Sequence, residues 1–225
     1  MKIKQFLTYF AVLGIFAVSP LLTACGGGSL SLNINSPNVI NPITLPITVL
    51  SAEEIAALKF MREEEKLAHD IYVELYSIWG ANVFYQISLS ETTHTEAILS
   101  LLNKYGIDDP AAGKAPGVFE SPVLNALYGA LVTMGKVNLI EALKVGALIE
   151  ETDIRDINEK KTITDEDDIV TVYNSLLCGS RNHLRSFNSN LLSQGVTYIP
   201  QVIIQAEWDA IANSPKETCG GNGII

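Results

Sequence analysis

Basic side chains are scarce in this sequence. Lys and Arg number 15 against 25 Asp and Glu, a formal net charge of −10 over 225 residues. That balance excludes nucleic acid as a partner, because neutralising phosphates takes clustered Lys and Arg. It equally excludes electrostatic docking on anionic lipid. Alternating strand patterns are missing after residue 50, and no internal repeat is visible in residue identity. The length suits one domain with a proper core and is short for two. What the chain has instead is carboxylate, and clustered carboxylates are the raw material of a metal site.

The first 24 residues read as a leader. Lys2 and Lys4 supply positive charge, residues 6–18 form an apolar run, and Leu22-Thr23-Ala24-Cys25 closes it. An uncleaved membrane anchor is the alternative, but Pro20 interrupts a run already short for a span. The Leu-Thr-Ala-Cys ending resembles the lipobox of bacterial lipoproteins. The resemblance implies cleavage before Cys25 and lipid on that cysteine, with two or more acyl chains giving stable anchoring. Removing Lys2 and Lys4 leaves 13 basic residues against 25 acidic ones. Residues 25–50 are rich in Gly, Ser, Asn and Pro and carry no charge, as a flexible tether does. The folded domain is therefore expected at 51–225, extracytoplasmic and membrane-bound through lipid alone. The absence of Asp after Cys25 resembles outer-membrane sorting in cells that have an outer membrane. Export makes a disulfide between Cys178 and Cys219 reasonable, the alternative being two unpaired thiols.

From Ser51 the pattern is helical. Ser51 with Glu54 forms a capping box, and a helix is predicted to about residue 79, stopped at Gly80-Ala81-Asn82. Further helices are predicted at about 83–105, 137–160 and 165–192, the last with Thr164 as its cap. A connection over about 106–136 holds one short helix at 122–134, and another short helix lies at 205–212. The fold class is thus all-α. Two helical hairpins joined by one long crossover make the ferritin-like arrangement of a four-helix bundle.

Polar residues interrupt the apolar stripes of these helices. The second carries Phe84, Ile87, Glu91, His94, Ile98, Leu101 and Tyr105 on one face. Glu91 and His94, three apart, can ligate one ion. The first carries Phe60, Glu64, Leu67, Ile71 and Leu75, which puts Glu64 in the core, with Glu63 and Glu65 beside it. Glu63 reads as part of a solvated acidic face and His69 as a surface residue or as one that supports a ligand from behind. The third carries Leu139, Leu143, Gly146, Glu150, Asp153 and Ile157, with Glu151 adjacent; Gly146 leaves room near the acids. The fourth carries Ile169, Tyr173, Leu176, Ser180, His183, Phe187 and Leu191. A carboxylate in such a core costs several kcal/mol unless paired or bound to a cation. Four helices that each place Glu or His at mid-stripe point to a metal site formed by Glu64, Glu91, His94, Glu150 and His183, with Glu151 and Asp153 as additional candidates.

The strings Arg62-Glu63-Glu64-Glu65-Lys66-Leu67-Ala68-His69-Asp70, Ala142 to Glu151, and Gly179-Ser180-Arg181-Asn182-His183-Leu184 resemble a bacterial ferritin-like family, domain of unknown function 2202, related to rubrerythrins. The resemblance covers residues 50 to the C-terminus and implies a di-metal carboxylate bundle. Ser180 stands where rubrerythrins have a second helix-4 glutamate, which puts the second metal position in question. Their Cys-x-x-Cys module is absent too, so no built-in electron donor is expected. Carboxylate and imidazole suit one or two iron or manganese ions. The leading expectation is an oxidoreductase acting as a ferroxidase or peroxide reductase, with Tyr72 and Tyr173 as candidate relays. A metal-sequestering or sensing protein without turnover is the second. A metal-free envelope scaffold, its core acids neutral or paired with Arg62, Arg181 or Arg185, is the third. Ferritin-like bundles often dimerise, so a homodimer is one expected assembly.

Overall fold

Local capping fixes where the helices begin. In a computed structural model, which describes residues 49–220, Ser51 accepts from the Glu54 N–H at 3.2 Å while the Glu54 carboxylate accepts from the Ser51 N–H at 2.8 Å. This capping box opens α1 (Ala52–Trp79), and Gly80, at φ 61°, closes it in the left-handed region. After that tight turn α2 runs Asn82–Lys104. α3 is Pro122–Gly135, capped by Ser121 with Pro122 in its first turn. α4 is Leu139–Lys161; Asn138 caps it, so it starts two residues later than the apolar pattern suggests. α5 is Asp167–Ser193 and α6 is Gln205–Ala212. Thr164 is not the cap of α5: Glu166 holds that position, while the Thr164 hydroxyl accepts from the Glu166 N–H and donates to Glu54 at 2.7 Å. These six helices and no strands are found among the described residues, so the fold is all-α.

The helices pack pairwise. α1 lies along α2 and α4 along α5, while α1 also meets α4 and α2 also meets α5. α3, in the crossover, covers α1 and α4, and α6 rests on α5. The fully buried layer contains Leu58, Met61, Ile71, Tyr72, Leu75, Phe84, Ile98, Leu102 and Phe187. None of these helices is long and apolar enough to cross a membrane.

One polar face of α1 docks the crossover. Arg62 forks onto Asp109 at 3.1 and 3.2 Å, Lys66 donates to the Ala115 carbonyl, and Asp70 accepts from the Gly117 N–H at 2.9 Å. Glu63 accepts from the N–H groups of Glu120 and Ser121. It is therefore not on a solvated face as the sequence suggested. It is buried because it terminates the loop that leads into α3.

The C-terminal tail is tied to α5. Cys178 and Cys219 form a disulfide. Arg181 and Arg185 both pair with Glu217, and Asn182 exchanges hydrogen bonds with the Glu217 backbone, donating to its carbonyl at 3.0 Å and accepting from its N–H at 2.9 Å. The expected leader (1–24), Cys25 and nearly all of the expected tether (25–50) lie outside the described residues.

Candidate metal centre

Apart from Asp156, which pairs with Arg155, the buried carboxylates fall into two groups. Glu63, Asp70 and Glu151 each accept N–H hydrogen bonds from loop backbone. Their burial is satisfied and needs nothing further. Glu64, Glu65, Glu91, Glu150 and Asp153 receive no backbone donor. Both oxygens of Glu64, Glu91 and Asp153, and one each of Glu65 and Glu150, are buried without a hydrogen-bond partner. Exposure is 0 % for Glu65, Glu91 and Glu150 and 1 % for Asp153. Leaving such atoms unpaired in a core costs several kcal/mol each.

Four helices meet around one carboxylate. Glu91, midway along α2, turns Oε2 toward His94 Nδ1 and Oε1 toward His183 Nδ1, each at 2.8 Å. Neither contact has hydrogen-bond geometry, so both oxygens keep their lone pairs free. Glu65 on α1 approaches His94 Nδ1 from the other side at 3.2 Å. Glu150 on α4 lies 3.4 Å from His183 Nδ1. Two triads result, Glu65–Glu91–His94 and Glu91–Glu150–His183, each with its ligand atoms within 4.8 Å of one another. They share Glu91, and the two imidazole rings stand 5.4 Å apart.

Surrounding groups set the ligand orientations. His183 Nε2 contacts Ser90 Oγ at 2.9 Å. With the Nε2–H donating there, Nδ1 presents its lone pair to the carboxylates, as a metal-binding imidazole must. Tyr72 donates to Glu150 Oε1 at 2.5 Å, leaving Oε2 for the cluster. His94 packs on Gly179, where an added Cβ would sit 2.4 Å from Nε2. Gly146 does not open space for an ion: the Phe187 ring fills the room that its missing side chain leaves.

The electrostatics express the same crowding of negative charge. Burial, together with neighbouring Glu65, Glu64, Glu150 and Glu91, pushes the Asp153 carboxyl well above its usual range. Burial lifts Glu65 to about 7 despite the opposing pull of His94. Burial also lifts Glu150, again against an imidazole, that of His183. His183 is raised to about 9: burial opposes its charge, but the Glu91 and Glu150 carboxylates prevail. His94 rises for the same reason through Glu91 and Glu65. Glu91 alone falls below the ordinary carboxylate range, because two imidazolium charges outweigh its burial. A divalent cation at each triad would do what protons do here. It would supply positive charge and coordinate the orphaned oxygens, so the residues fit a pair of cations.

Of the residues expected from the sequence, Glu91, His94, Glu150 and His183 come together. Glu64 does not join them. Glu65, one residue on, takes that place, and Glu64 faces Asp156 beside Arg155. The reason is helical phase. Leu58, Met61, Glu65, Ala68 and Tyr72 repeat at intervals of three and four and are all nearly or fully inaccessible. That stripe was readable, but Met61 and Ala68 are weaker hydrophobic markers than Phe60 and Leu67. Glu151 stands apart from the cluster, since its carboxylate accepts from the N–H groups of Gln201, Val202 and Ile203. Asp153 lies among the acids but in neither triad. Ser180 bonds back to the Leu176 carbonyl. Tyr173 keeps a buried hydroxyl with no partner. Half-buried His69 pairs with the buried Asp70, in neither triad.

A crystal structure of hypothetical protein MJ0754 from Methanocaldococcus jannaschii superimposes with a TM-score of 0.75, covering 77% of this chain and 99% of that one. The curated sequence, "Uncharacterized protein MJ0754", is 44% identical over 174 residues, covering 77% of this chain and 94% of the relative. The family profile described as "Uncharacterized protein domain (DUF2202)" matches residues 54–215, well over half of the length. By both measures, the chain belongs to the DUF2202 family.

Proposed function

We propose that this protein is a ferritin-like four-helix bundle, lipid-anchored outside the cytoplasm, that holds two iron or manganese ions and turns them over in ferroxidase or peroxide chemistry. The observation that carries the reading is Glu91: one carboxylate, wholly buried, with each oxygen 2.8 Å from a different imidazole and neither hydrogen-bonded. Glu91 would serve both ions, with Glu65 and His94 holding one and Glu150 and His183 the other. The pairing of α1 with α2 and of α4 with α5, with α3 in the crossover, supports the ferritin-like reading. Bound there, iron or manganese supplies one-electron steps toward dioxygen or peroxide. The protein's own contribution is to fix ligand orientation through Ser90 and Tyr72 and to exclude bulk water with the layer of Tyr72, Phe84 and Phe187.

The scaffold reading keeps only its neutral form. Arg62 pairs with Asp109, and Arg181 and Arg185 pair with Glu217, so none of the three pairs with the central acids, which would have to stand protonated in a metal-free core. Sequestration without turnover is favoured by one feature, the bond of Ser180 to its own helix, which leaves Glu91 as the single carboxylate common to both triads.

Anaerobic titration of the soluble domain with ferrous iron tests the centre. Two ions per chain, and oxygen or peroxide consumption lost in Glu91→Ala, are expected. Tight binding with no consumption selects sequestration, and no stoichiometric binding overturns both. Lipid anchoring is tested separately: Cys25→Ala moves the full chain from the membrane to the soluble fraction.

A further inference from the structure

We infer that the Cys178–Cys219 disulfide is a redox couple wired to the metal centre, supplying the two electrons that recharge it. This rests on the two-metal reading above.

The placement is specific. Cys178 is joined by one peptide bond to Gly179, whose Cα packs directly on the His94 ring. His94 turns its opposite nitrogen, Nδ1, to Glu91 and Glu65. One backbone step and one van der Waals contact therefore connect the sulfur-bearing residue to a candidate ligand. The two sulfurs differ in access: Cys178 is buried in α5, whereas Cys219 is exposed. An external dithiol can attack the bond from solvent at Cys219, and Cys178 is the member of the pair whose backbone adjoins Gly179.

The tail is also held without the bond. Arg181, Arg185 and Asn182 keep Glu217 on α5, and Asn182 contacts Cys219 Sγ at 3.2 Å. Reduction then leaves the two thiols facing each other, so closing the bond again is intramolecular and costs little ordering. A bond serving only as a staple would not need five polar contacts within two residues of it.

The step balances. The Cys178 and Cys219 thiols release two protons and two electrons as the Sγ–Sγ bond forms. Two trivalent ions, oxidised beforehand by peroxide, take one electron each and become divalent. A dithiol partner of the thioredoxin class then reduces the disulfide.

The test uses the full folded chain, reduced anaerobically, freed of reductant, loaded with ferrous iron and given one equivalent of peroxide. Three arms are compared: iron-loaded wild type, metal-free wild type and the iron-loaded C178S/C219S double variant. Free thiols are counted by alkylation and mass, and ferrous iron by a chelator. The wild type is expected to lose both thiols and retain two ferrous ions, the metal-free chain to keep its thiols over the same interval, and the variant to remain ferric. Wild type that keeps both thiols beside ferric iron overturns the relay alone. So does thiol loss that is equally fast without iron. Chains that retain no iron at all overturn the two-metal reading beneath it.

Discussion

His94 on α2 and Gly179 on α5 touch so closely that residue 179 has no room for a side chain: a Cβ would lie 2.4 Å from Nε2 and 2.6 Å from Cε1. Gly179→Ala is therefore expected to push the imidazole out of line with Glu91 and Glu65. Affinity at that position should fall about 10–100-fold, the range seen when groups supporting a ligand are changed. Metal titration of the variant measures it. Unchanged affinity would show that His94 is not a ligand.

Ser90 offers a milder version of the same test. Ser90→Ala removes the contact to His183 Nε2 without adding bulk. About a tenfold loss of affinity at the Glu150–His183 position is expected, with the Glu65–His94 position spared. Two-phase titration curves distinguish the two.

Glu91 and Glu151 should differ in what they do to metal. Glu91→Gln deletes the shared charge, so both ions are lost, and the metal-free chain melts lower as well, because the His94 and His183 imidazolium charges lose their common partner. Glu151→Ala keeps both ions but strands the N–H groups of Gln201, Val202 and Ile203, costing about 1–3 kcal/mol. Calorimetry with and without metal reads both effects.

The pH response follows from the raised values at His183 and Glu65. Both groups are more basic in the folded chain than in the unfolded one, so each favours the fold most below its unfolded value. That contribution is lost as pH rises through about 7 for Glu65 and about 9 for His183. The metal-free protein should thus melt lower at pH 9 than at pH 6. Metal displaces those protons, so affinity should climb over the same interval. Binding heats in buffers of different ionisation enthalpy count the protons released. A pH-independent affinity would argue against ligation by these groups.

Breaking the Cys178–Cys219 bond opens a constraint spanning 41 residues. On the loop-entropy estimate the double Ser variant loses about 4 kcal/mol. Adding Glu217→Ala should release the tail further, because Arg181 and Arg185 then lose their common partner. Urea denaturation of the two variants separates the covalent lock from the ionic one.

Helix positions were legible because their punctuation is local. Ser51 with Glu54, Gly80 and Pro122 each state a boundary within a few residues of chain. Glu91 and His94 were legible for a related reason: they interrupt an otherwise apolar stripe on a helix with one buried face. α1 was harder, because it packs on three neighbours and buries most of its circumference. A single apolar stripe cannot report the phase of such a helix, so it points to Glu64 where the structure uses Glu65. The role of Glu151 could not be read at all. Its donors come from backbone fifty residues away, and backbone N–H groups leave no trace in sequence. Gly146 and Gly179 illustrate the same limit: both accommodate an aromatic ring, but the ring that each accommodates is known only in three dimensions.

Glu63, Glu64 and Glu65 are chemically identical neighbours with three different destinations: the crossover backbone, Asp156, and His94. Successive residues on a helix point about 100° apart. One residue inserted just upstream within α1 would put Glu63 against Asp156 and Glu64 against His94, and would bring Arg62, which has no acceptor to offer, to the N–H groups of Glu120 and Ser121. The triplet therefore shields the core from such a slip, and the anchor of the crossover is what the slip removes.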